Sequence, residues 1–253
     1  MIHFVGAGCG APDLITVRGA ELIKTADAVI YAGSLVNPDL LRLTKKSCEH
    51  YNSAVMTLDD VLNVMIRMEN AGKDTVRLHT GDPSLYGAIR EQMDLLTERD
   101  IPFDICPGVS SFSGAAASLQ AEYTLPGVTQ SVVITRMSGR TPVPERESIR
   151  AFAAHGATMV IFLSAGMTEK LQEELIAGGY SRETPAAIVY KASWPDERIV
   201  RCTVGTLHAS AEQSGIQNLA LITVGHFLGN SYDRSRLYDP AFTTGFRKGT
   251  DNK

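Results

Sequence analysis

Short apolar runs alternate with amphipathic stretches along the chain from its first residues. The apolar runs predict strands at 2–7, 28–31, 74–78 and 103–106. Apolar positions spaced three or four apart predict helices at 16–24, 57–70 and 86–98. In the second of these helices, Thr57 and Asp60 have the spacing of a capping box. This alternation is typical of an α/β fold.

The pattern changes after a turn-rich segment at 123–130 that contains Pro126 and Gly127. We therefore predict an α/β domain over 1–125, a second α/β domain over 131–232 and a loosely held polar tail over 233–253. In the second domain the pattern predicts strands at 131–135, 158–163, 186–190, 199–203 and 219–224, and helices at 145–155 and 168–177. The close spacing of 186–190 and 199–203 favours a hairpin and hence a mixed sheet. The predicted architecture is two α/β lobes with a cleft between them.

Composition narrows the class of protein. The chain has 253 residues, of which 44% are apolar, enough for a sizeable core. No apolar run has the length of a membrane span and no targeting signal is evident, so we expect a cytoplasmic protein without a membrane partner. Its net charge of -4, from 24 basic and 28 acidic residues without long runs, disfavours a nucleic-acid partner. The four cysteines and six histidines lack metal-ligand spacing, so no metal site is expected.

The segment 77–87, Arg-Leu-His-Thr-Gly-Asp-Pro-Ser-Leu-Tyr-Gly, combines a strand end, a tight turn and the carboxylate of Asp82. Ligands of open α/β sheets bind at the carboxyl ends of such strands. An ordinary Gly-Asp-Pro turn is the alternative interpretation of this segment by itself.

Two further loops follow strands. The loop Gly6-Ala-Gly-Cys-Gly10 invites a dinucleotide-binding interpretation, but its third glycine comes one residue early and Pro12 precedes the helix. The loop Pro107-Gly-Val-Ser-Ser-Phe-Ser-Gly114 offers Ser110 and Ser111, which suit a ligand's carboxylate or ribose, or else cap a helix. It lacks the last glycine of a serine-hydrolase elbow, which disfavours that class of enzyme.

Several segments together resemble the tetrapyrrole methylases, enzymes that transfer methyl groups from S-adenosylmethionine. The order and spacing match at 6–16, 81–83, 107–111 and 159–164. Within that family, segments 31–36, 53–57, 135–144 and 155–159 are similar to the enzymes that methylate C-11 of precorrin-4 in cobalamin synthesis. The resemblance covers nearly the whole chain, and it implies a homodimer, a folded cofactor between the two domains and a trough for the tetrapyrrole. Cys9 stands where many relatives carry proline.

The resemblance also implies which residues form the site. The expected cofactor-binding residues are Thr80, Gly81, Asp82, Leu85, Ser110, Ser111, Leu163, Ala192 and Ala220. Gly8, Cys9 and Tyr31 are expected on the substrate side. Donors for the substrate's carboxylates are expected among Arg136, Arg140, Lys191, Arg234 and Arg236.

The implied chemistry is a methyl transfer that depends on positioning, because a sulfonium-bound methyl is already electrophilic and a pyrrolic carbon is electron-rich. Asp82, Tyr86 or a water could accept a proton, and the sequence singles out none of them. The alternatives left open are a cobalt-containing substrate, a same-fold methylase acting on another ring carbon, on RNA or on protein, and a noncatalytic binding module. S-adenosylhomocysteine would be the product of the cofactor.

Overall fold

The computed structural model describes residues 1–250, which form two compact α/β units. One unit comprises Met1–Leu119 together with Val189–Ile199. The other comprises Gln120–Ile188 and the chain from Val200 onward. The segment 189–199, which the sequence pattern assigned to the second domain, is thus part of the first unit.

The first unit contains a parallel sheet of five strands in the order β3-β2-β4-β1-β5. The strands are β1 (Ile2–Gly6), β2 (Ala28–Tyr31), β3 (Glu49–Asn52), β4 (Thr75–His79) and β5 (Phe103–Cys106). The helices are α1 (Val17–Thr25), α2 (Leu58–Asn70), α3 (Arg90–Thr97) and α4 (Ser111–Leu119). Strand β3 was not predicted, because its polar sequence lies at the edge of the sheet and has no apolar run.

Side chains from successive strand positions enter two separate apolar cores, as the twofold period of a strand requires. Val5 and Leu78 belong to one core, which also packs α1. Phe4 and Ile30 belong to the other, which packs α2 and α3. The predicted capping box is confirmed: Thr57 N donates to Asp60 Oδ2 (2.9 Å) and Asp60 N donates to Thr57 Oγ1 (3.2 Å).

The predicted helix 86–98 is wrong at its start, since α3 begins only at Arg90. Tyr86 and Ala88 have φ of 56° and 50°, which a right-handed helix excludes. Gly87 packs so closely that a Cβ there would lie 2.2 Å from the carbonyl oxygen of Pro83. The first part of the segment is therefore an irregular connection that precedes the helix.

The second unit contains a mixed sheet, as predicted, with strand order β6-β7-β10-β8-β9. Its strands are β6 (Val132–Arg136), β7 (Thr158–Phe162), β8 (Pro185–Tyr190), β9 (Arg198–Thr203) and β10 (Ala220–Val224). Strand β7 runs parallel to β6 and antiparallel to β10. The helices are α5 (Ile149–Ala153), α6 (Thr168–Ala177) and α7 (Leu207–Ser214). The predicted helix 145–155 is shorter than expected, because it opens with a separate 3-10 turn at Glu145–Glu147.

Further 3-10 turns lie at Pro12–Leu14, Pro38–Leu43, Ser53–Val55, Ala165–Met167, Val204–Thr206, His226–Leu228 and Arg236–Tyr238. Near the C-terminus, the Arg247 guanidinium donates to the carbonyls of Leu237 (3.0 Å) and Asp239 (2.6 Å). Across residues 1–250, no helix combines the length and apolar character needed to span a membrane. Within the same range, no cluster of three or more His, Cys, Asp and Glu side chains is arranged to hold a metal ion.

Candidate functional site

Two loops meet at the carboxyl ends of the neighbouring strands β1 and β4. They are the first glycine loop (residues 6–11) and the Gly-Asp-Pro loop (residues 80–87). Ala7 N donates to the carbonyl oxygen of His79 (2.7 Å), and Gly8 and Gly81 exchange a pair of backbone hydrogen bonds of 3.3 and 2.8 Å. The sheet pairing therefore continues beyond the strands and fixes one loop against the other.

The third loop at this edge, the serine loop (residues 107–111), follows β5 on the other side of β1. A Cβ on Gly108 would lie 2.2 Å from the carbonyl oxygen of Gly81, and a Cβ on Gly6 would lie 2.6 Å from the Cα of Gly108. Real Cβ atoms do not approach other atoms so closely. Gly6 in the first glycine loop thus allows close packing of backbone against backbone. This role agrees with the poor match of the loop sequence to a dinucleotide-binding fingerprint.

Asp82 ties the Gly-Asp-Pro loop to the serine loop. Its Oδ2 accepts from Gly108 N (2.8 Å), while its Oδ1 accepts from the backbone N–H (2.8 Å) and the hydroxyl of Ser84. Burial by itself would raise the pKa of Asp82, but these hydrogen bonds outweigh it and lower the pKa below its ordinary value. A carboxylate stabilised in this way is a weak proton acceptor, so the geometry favours a structural role for Asp82 over that of a general base.

The predicted cofactor residues of the first unit lie together around Gly81. A Cβ on Gly81 would lie 3.3 Å from both the backbone nitrogen and the hydroxyl of Ser111, and 3.5 Å from the Cα of Ser110. Gly81 has φ of 61° and Ser110 is buried. Thr80 and Leu85 flank this point and are half-buried. Backbone and hydroxyl groups here can approach a bound ligand closely.

Ala192 also belongs to this edge of the first unit. It follows β8 in the 191–197 loop and is only 6% exposed. A Cβ on Gly114 would lie 2.8 Å from Cys9 Sγ and 3.5 Å from the Cβ of Ala192. The structure thus brings a predicted cofactor residue and a predicted substrate residue against the same turn of α4. Tyr31, at the end of β2, lies half-buried at the same edge of the sheet.

The two predicted cofactor residues of the second unit lie on the antiparallel strand pair β7 and β10, whose register places Ile222 opposite Ile161. Ala220 begins β10, and Leu163 directly follows β7. Leu163 is 63% exposed with φ of 53°, directly after β7. The next residue is buried Ser164, whose hydroxyl accepts from Met137 N (2.9 Å). An apolar side chain is thereby held in an exposed position by a fixed backbone.

The basic candidates differ in their availability. Lys191 Nζ lies 2.6 Å from Asp196 Oδ2 and 5.1 Å from the ring centre of Trp194. Arg136 donates to the carbonyls of Met137, Thr141 and Pro142, and so organises its own loop. Arg140 is exposed in that loop, and Arg234 and Arg236 are exposed in the tail.

Two buried ionisable residues of β4 were not among the predicted site residues. The Arg77 guanidinium donates to Ile30 O (3.2 Å) and Gln92 Oε1 (3.3 Å), and burial lowers its pKa to about 10. Burial, with the charge of Arg77, lowers the pKa of His79 to about 3, so its imidazole is neutral. Gln92 in turn donates to the carbonyl oxygen of Ala88 in the Gly-Asp-Pro connection (2.9 Å). No local signal marked Arg77 and His79, because all five residues of β4 are buried and the strand has no exposed face.

This edge of the first sheet has the arrangement of the α/β class, in which glycine and serine loops follow adjacent parallel strands at the edge where such sheets bind small ligands. Residues 1–208 match the family model of the Tetrapyrrole (Corrin/Porphyrin) Methylases, and the chain belongs to that family.

Individual relatives are similar over nearly their whole length. The chain is 53% identical to a cobalt-precorrin-4 C(11)-methyltransferase of Methanocaldococcus jannaschii, with 98% of this chain and 96% of the relative covered. It is 44% identical to a precorrin-4 C(11)-methyltransferase of a Sinorhizobium species, with 97% and 98% covered.

Solved structures agree with this assignment. A cobalt precorrin-4 methyltransferase superposes with a TM-score of 0.88 at 46% identity, covering 90% of this chain and 96% of that one. A uroporphyrin-III C-methyltransferase of Thermus thermophilus, complexed with S-adenosylhomocysteine, superposes with a TM-score of 0.73 at 26% identity, covering 90% and 92%.

Proposed function

We propose that this protein is an S-adenosylmethionine-dependent methyltransferase that methylates C-11 of precorrin-4 to give precorrin-5 in cobalamin biosynthesis. The observation that carries the proposal is the sequence identity to two relatives that are both named for methylation at C-11. The identity is 53% to one and 44% to the other, in each case over nearly the full length of both chains. The uroporphyrin-III enzyme, which is named for a different substrate, has the same fold at only 26% identity.

The residues around Gly81 fit the adenosine part of the cofactor. Gly81 has no side chain where its backbone faces Ser110 and Ser111, and these serines supply a hydroxyl and a helix N-terminus. Thr80, Asp82 and Leu85 are proposed to complete this part of the pocket. Ala192, Leu163 and Ala220 are proposed from the family resemblance, and the exposure of Leu163 suits a leucine that covers a ligand.

When bound, S-adenosylmethionine supplies an electrophilic methyl group on a sulfonium. The chain's own contribution is to orient the acceptor carbon and exclude competing positions, since correct placement can supply a large part of the rate. Gly8, Cys9 and Tyr31 are proposed to face the tetrapyrrole. Arg140, Arg234 and Arg236 are the basic candidates proposed to bind substrate carboxylates, because Arg136 and Lys191 already have partners.

A second candidate substrate is cobalt-precorrin-4. The relative with 53% identity and the structure with a TM-score of 0.88 are both named for the cobalt-containing compound. The relative named for metal-free precorrin-4 has 44% identity. The same reaction at C-11 would occur on either ring.

The experiment supplies the protein with methyl-carbon-13 S-adenosylmethionine and either precorrin-4 or cobalt-precorrin-4. A product heavier by one labelled methyl, with the label at C-11, is expected. The ratio of kcat/KM for the two rings assigns the natural substrate. Label at another carbon, or only on RNA or protein, would refute the C-11 assignment. Ligand binding without a methylated product would identify a binding module instead.

We further propose a homodimer in the cytoplasm. The dimer follows from the family resemblance, and the four free cysteines support a reducing compartment. Light scattering of the purified protein would test the dimer, and a monomeric mass at micromolar concentration would contradict it.

A further inference from the structure

The 191–197 loop of the first unit holds an unfavourable backbone conformation. Lys191 and Ser193 have φ of 48° and 64°, although neither is glycine. Such conformations persist only when surrounding contacts enforce them. The loop must therefore be stabilised by specific partners.

Glu197 supplies those partners through a single oxygen. Its Oε2 accepts from the backbone N–H of Ser193 (2.5 Å) and from the hydroxyl of Ser118 on α4 (2.6 Å). Hydrogen bonds to an ionised carboxylate are short and strong. The carboxylate thereby joins the turn at Ser193 to α4.

The Ser193 hydroxyl, held in this way, reaches the first glycine loop. It accepts from Ala11 N (3.0 Å) and lies 3.4 Å from Cys9 Sγ. The next residue, Trp194, packs against the same loop: a Cβ on Gly10 would lie 2.2 Å from the indole ring. These contacts give the loop that carries Gly8 and Cys9 a defined position.

We propose that Ser193 is a positioning residue for the tetrapyrrole, with Glu197 fixing its orientation. It acts through Cys9 and Ala11, whose loop is the substrate side of the proposed methyltransferase, so this inference rests on the proposed function. A shift of the loop changes which ring carbon is presented to the methyl group. Ser193 and Glu197 therefore contribute to regiospecificity without contacting the reacting atoms.

Amide hydrogen exchange at Ala11, followed by NMR on the uniformly labelled protein, tests the positioning contact without requiring activity. Ser193→Ala and Glu197→Ala are expected to increase the exchange rate of Ala11. Glu197→Gln should restore protection, because the amide oxygen can accept both hydrogen bonds. Ser113→Ala, an exposed serine on α4, is the matched control and should leave the rate unchanged.

Turnover of Ser193→Ala tests the consequence. Its KM for the tetrapyrrole should rise, or part of the methyl label should appear at other ring carbons, while its Kd for S-adenosylmethionine stays at the wild-type value. Unchanged exchange at Ala11 in Ser193→Ala would overturn the contact. Faster exchange with unchanged KM and product pattern would overturn the role in positioning. A wild-type protein that methylates neither ring would refute the proposed function, whereas the exchange data would still decide the contact.

Discussion

Glycine at positions 6 and 108 lets their backbones approach each other and the carbonyl oxygen of Gly81 at distances that exclude a Cβ. Gly81 itself differs from these two glycines. Its missing side chain faces Ser111 at 3.3 Å, where a side chain would be tight but would not meet a carbonyl directly. A substitution at Gly81 therefore acts on the proposed cofactor pocket more selectively than one at Gly6 or Gly108.

We expect Gly81→Val to weaken S-adenosylmethionine binding on the order of tenfold or more, since overpacking costs roughly 1–3 kcal/mol. Both Gly81 and Gly72 have φ above 60°, but nothing lies within 4 Å of a Cβ on Gly72. Gly72→Val is thus the control for backbone strain. The strain of a positive φ should lower the free energy of unfolding by about 1–2 kcal/mol in each variant. Calorimetry measures binding and denaturant titration measures stability. Wild-type affinity in Gly81→Val would show that this turn is not part of the pocket.

Asp82 gives a residue-scale prediction for pH. Its pKa is lowered in the folded chain, so its stabilising effect is present above the ordinary carboxyl pKa of about 4 and is lost as the pH falls through the folded value. Asp82→Asn should reduce the free energy of unfolding by about 2 kcal/mol at pH 7, because charged hydrogen bonds are lost. The difference from wild type should shrink as the pH is lowered below about 4.

Denaturant titrations at pH 7 and in acid measure this difference. Glu173→Gln, at an exposed carboxylate of α6, is the control and should change stability little at either pH. A pH-independent loss in Asp82→Asn would contradict the charged hydrogen bonds as its cause.

At the scale of elements, the connection between β4 and α3 shows where periodicity misleads. Apolar spacing over 86–98 fits a helix, yet Ala88 is exposed at φ of 50°. The structure and the sequence pattern therefore predict opposite changes in the free energy of unfolding when Ala88 is replaced by glycine.

Ala88→Gly should raise the free energy of unfolding by roughly 1 kcal/mol, because glycine tolerates positive φ without strain. Ala116→Gly, inside α4, should lower it by about 1 kcal/mol. Thermal and denaturant unfolding of both variants provide the measurement. A loss of stability in Ala88→Gly equal to that in Ala116→Gly would indicate that the helix begins near residue 86.

Elements with a strong local signal were predictable from sequence. The predicted strands 28–31 and 103–106 and helix 168–177 agree with the structure at both ends. Strand β3 and helix α7 were missed, because β3 is polar and only Leu207 and Ala211 of α7 are buried. The local apolar pattern does not indicate these two elements, which depend on contacts with the rest of the fold.

The candidate site divides in the same way. The loops after β1, β4 and β5 are recognisable as strand ends with glycine and serine, and the family resemblance names residues within them. The contact of Ser193 with Cys9 joins positions 184 residues apart, and no local pattern encodes it. The buried Arg77 is likewise evident only once Gln92 and Ile30 are placed beside it.

At the scale of the whole molecule, charge poses a problem for the proposed substrate. The chain carries a net charge of -4, and a tetrapyrrole with many carboxylates is also anionic, so the two repel each other overall. Binding must therefore depend on individual cations placed near the site, not on the overall field. The segment 136–142 supplies two arginines with different roles, since Arg136 holds the loop through three carbonyls and Arg140 is exposed.

We expect Arg140→Ala to raise the KM for the tetrapyrrole and to slow turnover, because misplacing the reacting carbon can cost on the order of 100-fold in rate. The Kd for S-adenosylmethionine and the melting temperature should stay at their wild-type values. Arg136→Ala is the informative contrast: it should lower the melting temperature, since the carbonyls of Thr141 and Pro142 lose their donor. Raising the ionic strength should weaken tetrapyrrole binding in the wild type more than in Arg140→Ala, because salt screens the attraction that the variant lacks. Identical KM and salt dependence in Arg140→Ala and the wild type would place the carboxylate anchor elsewhere in the chain.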